Sequence, residues 1–60
     1  MKVRVELEGQ RDSNRYLDIK FLPRVGELLE TDWCGACEVI QVVHTPESKH
    51  QDAVLLLRKT

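Results

Sequence analysis

Apolar side chains fall on every second position at the start of this chain, and that alternation constrains the fold more than any other feature. Val3, Val5 and Leu7 point one way, while Lys2, Arg4, Glu6 and Glu8 point the other. A period of two is that of a strand with one face packed and one wet. The polar cluster Gly9 to Asn14 has nothing to bury and reads as a turn. Alternation then resumes, with Leu17, Ile19 and Phe21 inward and Tyr16, Asp18 and Lys20 outward. The two runs predict a β-hairpin.

Pro23 closes the second strand, because proline cannot donate to a ladder and forces Leu22 into an extended shape. Arg24-Val25-Gly26 reads as a tight turn in which Gly26 takes a positive φ. A third strand is expected over Glu27 to Trp33, with a reversal inside Cys34-Gly35-Ala36-Cys37. Glu38 to His44 is rich in β-branched residues and predicts a fourth strand. Val39, Ile40, Val42 and Val43 give it apolar groups on both faces. Either this strand is central or a bulge near Gln41 shifts its register.

Thr45 to Gln51 is a loop, and Ala53 to Arg58 is expected to be the closing strand. A helix over residues 48–59 is the alternative. Ser48 with Gln51 three positions later has the form of a capping box, and the alanine and leucines that follow are good helix formers. Five successive apolar residues would ring a helix on every side, however, whereas a buried strand accommodates them. Five short strands with tight turns predict an all-β fold, a small antiparallel five-stranded SH3-like barrel or rolled sheet.

The run Leu22-Pro23-Arg24-Val25-Gly26-Glu27, followed by Val39, Val42, Val43, His44 and a final apolar strand, resembles small uncharacterised bacterial SH3-like β proteins. Some of these are encoded on mobile elements. The resemblance covers most of the chain and implies a fold; it brings no activity with it.

Sixty residues allow a single domain, 1–60, and a core that is marginal by itself. Small folds compensate with a disulfide, a metal or a partner subunit. The apolar residues are all needed as filling, so a deep substrate cavity is not expected. Net charge is −1 but uneven. Residues 1–24 carry six Lys/Arg against four Asp/Glu, whereas residues 25–48 have five acidic residues and no Lys or Arg. A nucleic-acid binder concentrates basic charge on one surface, and the middle of this chain does the opposite. No cationic segment precedes an apolar run at the N-terminus, and Ala53 to Leu57 is too short to span a bilayer. A cytoplasmic protein with no membrane partner is therefore expected, and its two cysteines are expected to be thiols.

Trp33-Cys34-Gly35-Ala36-Cys37 is similar to the thioredoxin redox motif, with Ala36 where that family has proline. The resemblance implies Cys34 as the attacking thiolate and Cys37 as the resolving one. The strand-forming run after Cys37 departs from the helix that motif requires. In a hairpin the two cysteines would instead flank a two-residue Gly-Ala loop. Cys34, Cys37, His44 and His50 also make a C-x2-C-x6-H-x5-H set, four ligands of types that suit zinc. Their spacing matches neither a finger nor a ribbon, and exposed histidines are the plainer reading. Asp32, His44 and Ser48 can be drawn as a catalytic trio in almost any sequence of this composition. Gly9, Gly26 and Gly35 are too far apart to form a phosphate loop.

Tyr16, Lys20, Arg4, Arg11 and Arg15 suggest a modest basic patch with one aromatic, the minimum for a single-stranded nucleic-acid platform. Phe21 is expected in the core. Trp33 near a hairpin tip, both faces of Glu38 to His44 and the run Ala53 to Leu57 exceed what one small core covers, and surplus apolar surface marks interfaces. The sequence thus predicts a non-catalytic binding module that self-associates as a homodimer, with another protein as a further partner and Trp33, Tyr16 and Arg15 as binding residues. The alternatives are a zinc- or thiol-dependent module using Cys34 and Cys37, and a nucleic-acid binder.

Overall fold

The computed structural model describes the backbone of residues 1–60 and every side chain except those of residues 11–14. All its elements are strands: β1 (Lys2–Leu7), β2 (Gln10–Asp18), β3 (Leu28–Thr31), β4 (Gly35–His44) and β5 (Ala53–Lys59). They form one curled, half-barrel sheet in the order β2-β1-β5-β4-β3. β2 and β3 are its two edges.

The expected hairpin is present, but its turn is tighter than the polar cluster suggested. Glu8 and Gly9 alone reverse the chain, with Gly9 at φ +83°. Residues 10–14 already belong to β2, and the β1–β2 register shifts between Val5↔Arg15 and Leu7↔Gln10. β2 ends at Asp18, and the alternation lasts only as far as Ile19, whose backbone still pairs with Met1. Leu17 and Ile19 pack against the core as expected, but Phe21, expected there too, is 85% exposed and Leu22 packs in its place. Residues 19–27 connect one sheet edge to the other, and a turn with Glu27 N–H donating to Arg24 C=O (3.0 Å) leads into β3. Gly26 occupies the third position of that turn at φ +95°, a place only glycine fills without strain.

The sheet is mixed rather than antiparallel throughout. β1 and β5 pair in parallel from Val3↔Ala53 to Leu7↔Leu57, while the other three pairs are antiparallel. A parallel pair needs a long crossover, and here β2, β3 and β4 together supply it. Asp52 pins the junction: Lys2 N–H donates to its carboxylate (2.9 Å), and its own N–H donates to Lys2 C=O (2.7 Å).

β5 is a strand, and the helix alternative fails for an informative reason. Ser48 Oγ does accept from the His50 and Gln51 N–H groups (3.1 and 3.4 Å), as a helix cap would. No helix follows, because Ala53, Leu55 and Leu57 enter the core while Val54 and Leu56 cover the opposite face. Tertiary packing overrides the local signal.

Both explanations for the doubly apolar β4 hold. It lies between β5 and β3, and its register shifts between Val39↔Leu57 and Gln41↔Leu56, leaving Ile40 as the extra residue. Inward positions change from odd (Cys37, Val39) to even (Val42, opposite Leu55) across this bulge. The core is Val3, Val5, Leu7, Cys37, Val39, Ala53, Leu55 and Leu57, all on the concave side.

Candidate functional site

Two features of this sheet carry chemistry or surplus surface: the hairpin joining β3 to β4, and the outer face over β1, β5 and β4. In the hairpin, Thr31↔Gly35 is the last pair, and Asp32, Trp33 and Cys34 form the turn. Gly35 follows at φ +72°, the left-handed residue that ends a three-residue hairpin loop. The expected two-residue Gly35-Ala36 loop is thus displaced toward the N-terminus. Cys34 lies in the turn and is half-buried, while Cys37 lies on β4, fully buried between Leu29 and Lys59 of its neighbouring strands.

This geometry brings the two sulfurs within 3.0 Å. Thr31 Oγ1 lies 2.8 Å from Cys34 Sγ and accepts the Cys34 N–H at 3.3 Å, so its own hydroxyl proton is free to point at the sulfur. Burial, the contact with Cys34 and the charge Cys34 would carry push the Cys37 thiol up to about 11, against the opposing pull of Lys59. The pair is therefore asymmetric: one thiol reachable from solvent, the other sealed and held protonated at neutral pH.

The proposed zinc set does not assemble. His44 ends β4 opposite Ala53, seven positions beyond Cys37, which on an extended strand is on the order of 20 Å. His44 and His50 are both exposed. Among the described residues no three His, Cys, Asp or Glu side chains gather as a metal site. Asp32 in the hairpin turn and His44 at the far end of β4 are likewise apart.

The basic patch is divided between the two faces of β2. Arg15 pairs with Val5, on the core side, and its guanidinium lies 5.6 Å from the centre of the Trp33 ring. Trp33 packs against the core, so this contact links β2 to the β3–β4 turn across the open edge of the half-barrel. Tyr16 pairs with Arg4 on the outer face, 51% exposed, with Lys2 Nζ 4.8 Å over its ring. Arg15 and Tyr16 thus lie on opposite faces of the edge strand β2. Arg11 lies outside the described side chains.

The outer face has a shallow depression of about 310 Å³ whose floor is Val54 and Leu56 of β5 and Val43 of β4. Arg4, Glu6 and Gln41 form its polar margin, with Arg4 Nη2 3.4 Å from Glu6 Oε1. Sequence reasoning anticipated surplus apolar groups on β4 and β5; plain alternation turns Val54 and Leu56 outward, but naming Val43 needed the bulge, which decides that Val43 faces outward and Val42 inward. Thr31, which contacts the thiol pair, went unnoticed; its place three residues before Cys34 is its only signal. Among the described residues no helix is long and apolar enough to cross a membrane. No family model, curated protein or solved structure matches this chain.

Proposed function

We propose that this chain is a non-catalytic binding module that self-associates, most simply as a two-fold dimer, through the outer sheet face around Val43, Val54 and Leu56. The fold read into this proposal is a small SH3-like barrel, supported by five short strands, tight turns and a curled sheet. One observation carries the binding reading. β5 is central and apolar on both sides; its inner residues are sealed, but Val54 and Leu56 are only half-buried and Val43 beside them is 44% exposed. Continuous apolar surface rimmed by polar groups is the mark of an interaction site.

The margin favours a second copy as the occupant. In a two-fold interface the same patch is used by both copies, and Arg4 and Glu6, which pair with each other within one chain at 3.4 Å, can exchange partners across the axis so that no charge is left unpaired. Sedimentation velocity across micromolar concentrations tests the reading. The expected result is a dimer that Leu56→Glu converts to a monomer with an unchanged far-ultraviolet spectrum. A wild-type chain that stays monomeric and folded throughout that range would refute it.

A further inference from the structure

We propose that Cys34 and Cys37 form a dithiol–disulfide site that reacts with low-molecular-weight disulfides, Cys34 as the attacking and Cys37 as the resolving thiol. The proposal is independent of self-association and rests on three observations. The sulfurs are 3.0 Å apart, so closing them to a bond length near ~2 Å requires about 1 Å of movement. Access is unequal: Cys34 is half-buried in a turn, and Cys37 is fully buried. Cys34 Sγ also has two potential donors, the Thr31 hydroxyl at 2.8 Å and the Cys37 thiol at 3.0 Å. The contact with Cys37 places the resolving sulfur against the attacking one before any disulfide arrives.

The chemistry is thiol–disulfide exchange in two displacements. Cys34 thiolate attacks one sulfur of the small disulfide; the S–S bond breaks, and the first thiolate leaves with the electron pair. Cys37 then gives up its proton and attacks Cys34 Sγ in the mixed disulfide, expelling the second thiolate. The two cysteines lose two electrons and two protons in total, and the small disulfide gains them as two thiols. Solvent reaches Cys34 first, so the order of attack follows from burial.

Oxidised glutathione is the probe, applied to the full chain and read by intact mass and by counting alkylatable thiols. Wild-type protein is expected to lose two hydrogens in mass and both free thiols, retaining no adduct. Cys37→Ser and Cys37→Ala should each trap one glutathione on Cys34, with far-ultraviolet spectra recorded to confirm that both remain folded. Cys34→Ser should stay unmodified. A stable glutathione adduct on the wild-type chain, a disulfide between two chains, or thiols that both remain alkylatable would each overturn the proposal. The wild-type mass alone decides the matter if the Cys37 variants do not fold.

Discussion

Cys37 is a core residue first, with the same burial as Val39 and Leu55. Its thiol titrates near 11 rather than 9.0 because ionising it would place charge inside that core beside Cys34. A pKa raised on folding means that the native state holds the proton more tightly than the unfolded chain does. The resulting stability is fully present below about pH 9 and is lost as the pH climbs through about 11. Denaturant midpoints measured across that window should fall in the wild-type chain and fall less steeply in Cys37→Ala. An equal decline in both would remove Cys37 as its source. Arg15 shows a different lesson at this scale. It belongs by sequence to a basic patch with Tyr16, and although exposed it is turned by strand parity to the core side, where its guanidinium meets Trp33.

Among the elements, the β3–β4 hairpin depends on one backbone conformation. Gly35 has φ +72° with no atom within 4 Å of where a Cβ would stand, so the cost of a side chain there is conformational rather than steric. Gly35→Ala should therefore destabilise by about 1–2 kcal/mol, the cost of holding an ordinary residue left-handed, and Gly35→Asn by less. Thermal melts of the two variants would check the ranking; equal losses would point to something other than φ. The strands themselves were largely legible. Alternation located β1, β-branched density located β4, and the apolar run of β5 matches a central strand. The bulge in β4 was legible too, as apolar residues on both faces around Gln41; what period-two reasoning could not locate was the end of β2 at Asp18, beyond which Phe21 is exposed. That end depends on where a partner strand stops, and that information lies elsewhere in the chain. Ser48 makes the local hydrogen bonds of a cap, yet the helix alternative it supported is not taken up and the expected closing strand follows. Short-range chemistry specified the turn, while burial of Leu55 and Leu57 specified what came after it.

At the scale of the molecule, eight buried side chains on one concave face constitute the core among the described residues. Domains of this size have roughly 3–9 kcal/mol of stability at the usual ~0.05–0.15 kcal/mol per residue. Leu55 sits on the central strand with no exposed surface, and Leu55→Ala should cost about 3 kcal/mol or more. That is a third or more of the total, so its urea midpoint should drop sharply, whereas Leu28→Ala, at an edge position 67% exposed, should shift stability by less than about 0.5 kcal/mol. Comparable effects at the two positions would contradict the placement of the core. Topology was the least legible property. Local patterns mark strands but do not say which pair, and nothing in the spacing of apolar residues distinguishes a parallel β1–β5 pair from an antiparallel one. The candidate sites were legible as residue types and not as groupings: the two cysteines meet, the two histidines stay remote, and Tyr16 and Arg15 part company across the sheet.

The parallel pairing of β1 with β5 has a consequence for biosynthesis. Val3 and its partner Ala53 are fifty positions apart, so at roughly 5–20 residues per second a ribosome releases the first about 3–10 s before the second. During that interval the β1–β2 hairpin can form, but the strand that belongs at the middle of the sheet has yet to be translated. Folding of this sheet is thus held back until the final strand emerges, and the greasy face of the nascent hairpin must wait in water or in the keeping of a chaperone.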